Sequence, residues 1–170
     1  MTRIFLVGYM GSGKSFFGKR IAEHLGIGFL DLDTVIESKY RQSISDIFAQ
    51  FGETQFREIE HKALLEIAEF EDVIIATGGG TPCFFDNMQI MNSCGVTIYF
   101  RLTAEQLSLR LAKTKSTKRP LIAHKTDAEL QQYIASTLAE RETFYLQATH
   151  IVDADGSNVQ IIKAISEIIP

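Results

Sequence analysis

The sequence predicts a three-layer α/β fold built on a parallel sheet of about five strands. Three observations carry that prediction. Short apolar runs alternate with longer stretches of helical pattern along the chain. The runs are continuous rather than alternating, as expected of strands covered on both faces. Glycine clusters and paired acids stand directly after several runs, at the strand ends where ligands sit in such sheets.

The candidate strands are residues 4–7, 29–32, 73–76, 96–100 and 150–152. Helical patterns fill the gaps. Residues 14–25 end at Gly26, which suits a left-handed cap. Residues 34–40, 45–51 and 53–70 follow, then a short helix opening near Asp86. Thr103 reads as the N-cap of a helix over 104–112. The longest clean pattern is 128–146, and 159–168 closes the chain.

No repeat, linker or low-complexity tract interrupts this order, and 170 residues suit one compact domain. The expectation is a single domain over 1–170. Segment 113–125 resists regular structure: it is poor in apolar residues and carries Lys113, Lys115, Lys118, Arg119 and Pro120. It reads either as a solvated loop or as a lid over a phosphate site.

Composition narrows the function. Hydrophobic residues make up 45% and charged residues 22%, ordinary for a soluble globular protein. A net charge of -4 argues against non-specific nucleic-acid binding, although a few converging arginines could still bind an anion. Cys83 and Cys94 show no metal-ligand spacing and are too few for a disulfide framework, so reduced thiols are expected. The apolar run at 4–7 is too short for a signal-peptide core, and no stretch approaches the ~20 apolar residues of a membrane span. A cytoplasmic protein is the expectation.

Residues 8–15 read Gly-Tyr-Met-Gly-Ser-Gly-Lys-Ser, the spacing of a phosphate loop set between a strand and a helix. The glycines, with Gly11, Ser12 and Gly13 nearest the helix, let backbone N–H groups turn inward as an anion-binding nest. The following helix adds its N-terminal amides and the positive end of its dipole. Lys14 is expected to reach the β- and γ-phosphates of ATP, and the Ser15 hydroxyl to coordinate Mg2+.

Asp31 and Asp33 end the second candidate strand, and along an extended chain they point the same way. One would support the Mg2+ shell and the other meet an attacking hydroxyl; alternatively Asp33 only caps the helix from Thr34. Gly78, Gly79 and Gly80 follow the strand at 73–76, which suggests either close approach of a ligand or a flexible corner. Arg57 and Arg141 lie in helical patterns flanked by glutamates. The ordinary reading of each is a solvated surface charge; a guanidinium is also the best fork for a carboxylate, but the pattern alone promotes neither residue to that role.

Taken in order, these motifs resemble the shikimate kinase family over nearly the whole chain. The residues that carry the likeness are the loop at 8–15, Asp31-Leu32-Asp33, Phe56-Arg57-Glu58-Ile59-Glu60, Gly78-Gly79-Gly80, Arg119-Pro120-Leu121 and Arg141-Glu142-Thr143-Phe144-Tyr145. The resemblance implies a P-loop fold of the nucleoside-monophosphate-kinase type with the first strand central. It implies transfer of phosphate from ATP to the 3-hydroxyl of shikimate, on the way to chorismate and the aromatic amino acids. Asp33 would contact the ring hydroxyls and assist removal of the proton. Arg57 and Arg141 would bind the shikimate carboxylate, with Gly78, Gly79 and Gly80 lining the pocket. Asp31 would support Mg2+ beside Ser15, and Arg119 on the lid would offset charge on the phosphates.

Some positions depart from the family pattern. Phe16 follows Ser15 where threonine is frequent, so a bulky ring must fit near the nucleotide. Leu32 replaces a small polar residue between the acids, and the loop at 153–157 offers no basic contact to adenine, leaving Arg110 as the candidate that stacks there. A gluconate or nucleoside-monophosphate kinase would share the loop but not the two arginines with the triple glycine. The rival from another class is a nucleotide-dependent switch or a catalytically silent binding module that has lost its acceptor, and the intact Lys14, Ser15, Asp31 and Asp33 count against silence. A monomer is the expectation for so compact a kinase.

Overall fold

The computed structural model describes residues 2–114 and 122–169. Five strands form one sheet: β1 (Arg3–Val7), β2 (Gly28–Asp31), β3 (Val73–Ala76), β4 (Val96–Arg101) and β5 (His150–Asp153). All neighbours are parallel, in the order β2-β3-β1-β4-β5, so β1 is central as expected. The continuous apolar run in β1 has its reason here: Ile4, Phe5, Leu6 and Val7 are each fully buried between two helical layers. Each such side chain contributes about 1.5–3 kcal/mol relative to exposure.

Register sets the site. Asp31 pairs with Ala76 across β2 and β3, Leu6 with Ala76 across β1 and β3, and Val7 with Tyr99 across β1 and β4. The chain segments that leave β1, β2 and β3 therefore emerge side by side at one edge of the sheet.

The helices are α1 (Lys14–Leu25), α2 (Leu32–Tyr40), α3 (Ile44–Ile67), α4 (Asn87–Cys94), α5 (Ala104–Lys113), α6 (Asp127–Tyr145) and α7 (Asn158–Ile168). The two helices expected at 45–51 and 53–70 run on as α3, with a kink at Gly52, whose φ is 76°. Beyond the kink Phe56, Glu60, Ala63, Leu64 and Ile67 form one buried stripe at helical spacing. Thr103 caps α5 as expected, and its side chain and that of Gln106 form a reciprocal capping box.

One boundary corrects the sequence reading. The strand expected to reach Leu32 stops at Asp31, and α2 starts at Leu32 rather than Thr34. The cause is Asp31 itself, whose carboxylate accepts a hydrogen bond from the Thr34 amide at 3.2 Å. Asp31, not Asp33, is the helix cap. Of the segment at 113–125, Lys113 ends α5 and Ile122 is buried in the core, while 115–121, including Arg119, lies outside the described residues. Among the described residues no helix is long and apolar enough to cross a membrane.

Candidate active site

The phosphate loop leaves β1 at Gly8 and enters α1 through Gly13, whose φ of 97° suits a residue without a Cβ. No side chain caps α1, so its first amides keep their hydrogen-bonding capacity for an anion. The Lys14 ammonium lies against the loop, donating to the carbonyls of Gly8 at 2.7 Å and Tyr9 at 2.9 Å. Ser12 is fully buried, its hydroxyl 3.5 Å from the Lys14 ammonium. A cavity of about 570 Å3 opens above, lined by Gly11, Gly13, Lys14, Ser15, Phe16, Asp31, Asp33, Arg110 and the start of the glycine turn among others. Phe16 is 45% exposed there, with the Arg20 guanidinium 3.5 Å above its ring.

The two acids separate because the chain turns helical between them. The Ser15 hydroxyl donates to Asp31 Oδ2 at 2.5 Å, which ties the end of β2 to the first turn of α1. Asp33, one residue into α2, faces the cavity instead of following Asp31 along a strand. Burial, then the charges of Asp31 and Glu60, push its carboxyl up to about 7 against the opposing pull of Lys14.

That shift has a consequence for stability. The folded-state value lies above the ordinary ~3.9, so the unfolded chain ionises first. Stability held by the neutral form is complete below about pH 4 and is lost as pH rises through about 7. Asp33→Asn should therefore gain in Tm over wild type as pH climbs from about 4 to about 7, then keep a constant margin. Thermal unfolding across that range checks this; a margin independent of pH would mean that Asp33 ionises normally.

A second cavity, of about 350 Å3, adjoins the first and is lined by Phe48, Phe56, Arg57, Glu60 and Arg141, with Met10, Asp33 and the glycine turn. Arg57 is 8% exposed, so it is no surface charge. It donates through Nη1 to Glu60 Oε2 at 2.9 Å, three residues on along the same helix. Its guanidinium lies 4.2 Å from the Phe84 ring centre and 5.3 Å from that of Phe56. Its Nε has no hydrogen-bond partner among the described residues. The triple glycine is explained by the protein's own packing as well: a Cβ at Gly80 would stand 2.6 Å from both terminal nitrogens of Arg57.

Met10, Asp33, Gly78 and Gly79 line both cavities. A carboxylate at the junction of a phosphate-loop cavity and a cavity bearing two arginines is the geometry of group transfer between two bound molecules. Comparison with known proteins agrees. The shikimate kinase family model matches residues 10–170. A shikimate kinase of Parabacteroides distasonis is 50% identical over 155 residues, covering 91% of this chain and 89% of the relative. The crystal structure of a shikimate kinase from Bacteroides thetaiotaomicron superposes with a TM-score of 0.93 at 42% identity, covering 98% of this chain and 97% of that one. An Acinetobacter baumannii shikimate kinase, solved with shikimate, gives a TM-score of 0.89 at 29% identity, covering 99% and 92%. This chain belongs to the shikimate kinase family.

A shikimate kinase is an ATP-dependent kinase and must hold a nucleotide beside its acceptor, which the paired cavities allow. Arg110 reaches from α5 to the carbonyl of Ala154 at 2.6 Å and to that of Ser12 at 3.4 Å, bridging the phosphate loop and the segment after β5. Sequence reasoning quoted Glu60 in the motif at 56–60 but gave it no role, although its spacing of three from Arg57 within one helix was a usable signal. Glu60 is 1% exposed and takes a second hydrogen bond, 2.6 Å from the Thr81 hydroxyl. Phe48 and Phe84 were missed too; their approach to Arg57 is set by tertiary packing. Lys113 and Thr114, at the end of α5, also line the nucleotide-side cavity.

Proposed function

We propose that this chain transfers the γ-phosphate of ATP to the 3-hydroxyl of shikimate, the step toward chorismate and the aromatic amino acids. The observation that carries the reading is Asp33, a carboxylate raised to about 7 and shared by the two cavities. The Acinetobacter baumannii relative solved with shikimate supports the choice of acceptor. Phosphoryl transfer asks a protein chiefly for positioning and charge stabilisation. Lys14 and the first amides of α1 hold the β- and γ-phosphates. Arg57 and Arg141 grip the acceptor carboxylate, and Gly78, Gly79 and Gly80 form the floor between donor and acceptor. Asp33 orients the attacking hydroxyl and takes its proton. Phe16 and Arg110 flank the nucleoside. Arg119, with a lid over 113–125, enters on the family resemblance alone. One chain carries both cavities, so a monomer suffices.

Mg2+ fits the residues present. Ser15 and Asp31 bring two hard oxygens together beside the phosphate loop, and Mg2+ takes few protein ligands, filling its shell from phosphate and water. These two residues would hold the ion, which when bound offsets charge on the phosphate oxygens.

Purified protein given ATP with shikimate, gluconate or AMP, with ADP release followed, tests the reading. Release with shikimate alone is expected. Equal release with AMP or gluconate, or none with shikimate, would sink it.

The arginines give a separate test. Arg141→Ala should weaken shikimate binding by ~2–5 kcal/mol while Mg·ATP affinity holds, both read by titration calorimetry. Arg57→Ala should weaken it as much, and should also lower the Tm, because the buried Glu60 carboxylate would lose its ion-pair partner. Unchanged shikimate affinity in both variants would reduce the two arginines to structural roles.

A further inference from the structure

Tyr145 has no part in the chemistry proposed above, yet its hydroxyl reaches Gly79, which lines both cavities. It is the last residue of α6 and fully buried, and its hydroxyl donates to the Gly79 carbonyl at 2.6 Å. The Arg141 guanidinium, one turn earlier on the same helix, lies against the same phenol oxygen. Behind it Tyr99 of β4 packs ring against ring, centroids 5.1 Å apart, with its own hydroxyl 3.1 Å from Glu142 Oε1.

The glycine turn needs such a support. Three successive glycines have no side chains to limit their φ and ψ, so the turn keeps one shape only if its polar groups are held. The carbonyls of Gly78 and Gly80 are held by backbone amides, from Thr81 at 3.2 Å and Cys83 at 2.9 Å. The Gly79 carbonyl is held by the Tyr145 side chain instead. Gly79 is also the glycine set between the phosphate loop and Arg141: a Cβ there would lie 3.2 Å from the Met10 amide nitrogen of the phosphate loop and 3.5 Å from Arg141 Nη1. Burial keeps the phenol well above its usual range, so it stays a donor at neutral pH.

We infer that Tyr145 is a positioning residue whose single hydroxyl fixes the Gly79 peptide and the Arg141 fork as one unit, holding the acceptor in register with the phosphate loop. The inference rests on the reading that Arg141 grips the acceptor carboxylate. Without the hydroxyl the Gly79 carbonyl loses its donor and the peptide is free to rotate toward another, carrying the floor of the acceptor cavity with it.

Tyr145→Phe keeps the ring and its stacking and removes only the hydroxyl. KM for shikimate should rise about ten-fold, the scale of one lost buried hydrogen bond, while kcat and KM for ATP stay within about two-fold. In the free protein, amide exchange across residues 77–81 should quicken while the central strand keeps its protection. Tyr99→Phe, which keeps the stacked pair and loses only the bond to Glu142, should leave both readouts within about two-fold of wild type. The inference falls if Tyr145→Phe leaves exchange at 77–81 unchanged, if its KM for shikimate stays within about two-fold of wild type, or if Tyr99→Phe reproduces its effects, which would mark a packing role for the pair. Failure of the wild type to use shikimate would overturn the proposed function instead; exchange at 77–81 in the free protein would then decide the strut by itself.

Discussion

Lys14→Ala is expected to reduce turnover by more than ~10³-fold, the scale seen when a cation facing the transferring phosphate is lost. Lys14 is 7% exposed, and its ammonium lies on the Gly8 and Tyr9 carbonyls at the mouth of α1. During transfer charge is spread over the γ-phosphate oxygens and builds towards the leaving group, and a cation in this place stabilises it with little reorganisation. The fold should survive, because the loop is also tied by its own backbone, Ser12 N to Tyr9 O at 3.3 Å and Phe17 N to Gly13 O at 2.9 Å. Circular dichroism and the Tm should therefore match wild type while ADP release vanishes. The variant carries a second signature: Lys14 lowers the Asp33 pKa, so any residual activity should titrate at higher pH. Ser15→Ala should lose activity for a different reason, since it removes one of the two oxygens proposed for Mg2+. Near-normal turnover in either variant would overturn the phosphate-loop assignment.

Which features were legible in the sequence follows from how local their causes are. The strand at 73–76 appears with those bounds because a continuous apolar run ends in glycine. The break between helices at Gly52 was likewise local, and it survives as the one non-helical pair of dihedrals inside α3. Asp31 and Asp33 were equivalent by pattern, and only the Thr34 amide reaching back to Asp31 separates a cap from a carboxylate facing the cavities. Arg57 was the harder case. Its flanking glutamates suggest a solvated face, whereas Phe84 and Glu60 enclose it and its neighbour Glu58 is left outside. The bond from Tyr145 to Gly79 spans 66 residues, and no spacing rule points to it. Chemistry written in one short segment could be read directly; contacts between segments needed the fold.

Asp33→Asn is the substitution that bears most directly on mechanism. It keeps the size of the side chain and one acceptor oxygen, and it removes both the negative charge and the capacity to take a proton. Turnover should fall by ~10²-fold or more, the usual scale for a positioned acid–base group. The wild-type pH profile should show the same group: kcat/KM for shikimate should rise with pH through about 7 as the carboxyl ionises, and the Asn variant should lose that step. Mg·ATP binding should survive, because Lys14, Ser15 and Asp31 are untouched; Asp31→Asn should instead show a loss partly recovered at high Mg2+. The size of the drop separates two roles. In a loose transition state the proton leaves late, and Asp33 would then serve mainly to orient the hydroxyl, so that the Asn variant falls only a few-fold while Asp33→Ala falls much further. A drop beyond ~10² with no pH step left assigns the charge itself to the reaction. Wild-type rates in both Asp33→Asn and Asp33→Ala would put the acceptor elsewhere and leave the junction of the two cavities without a catalytic part.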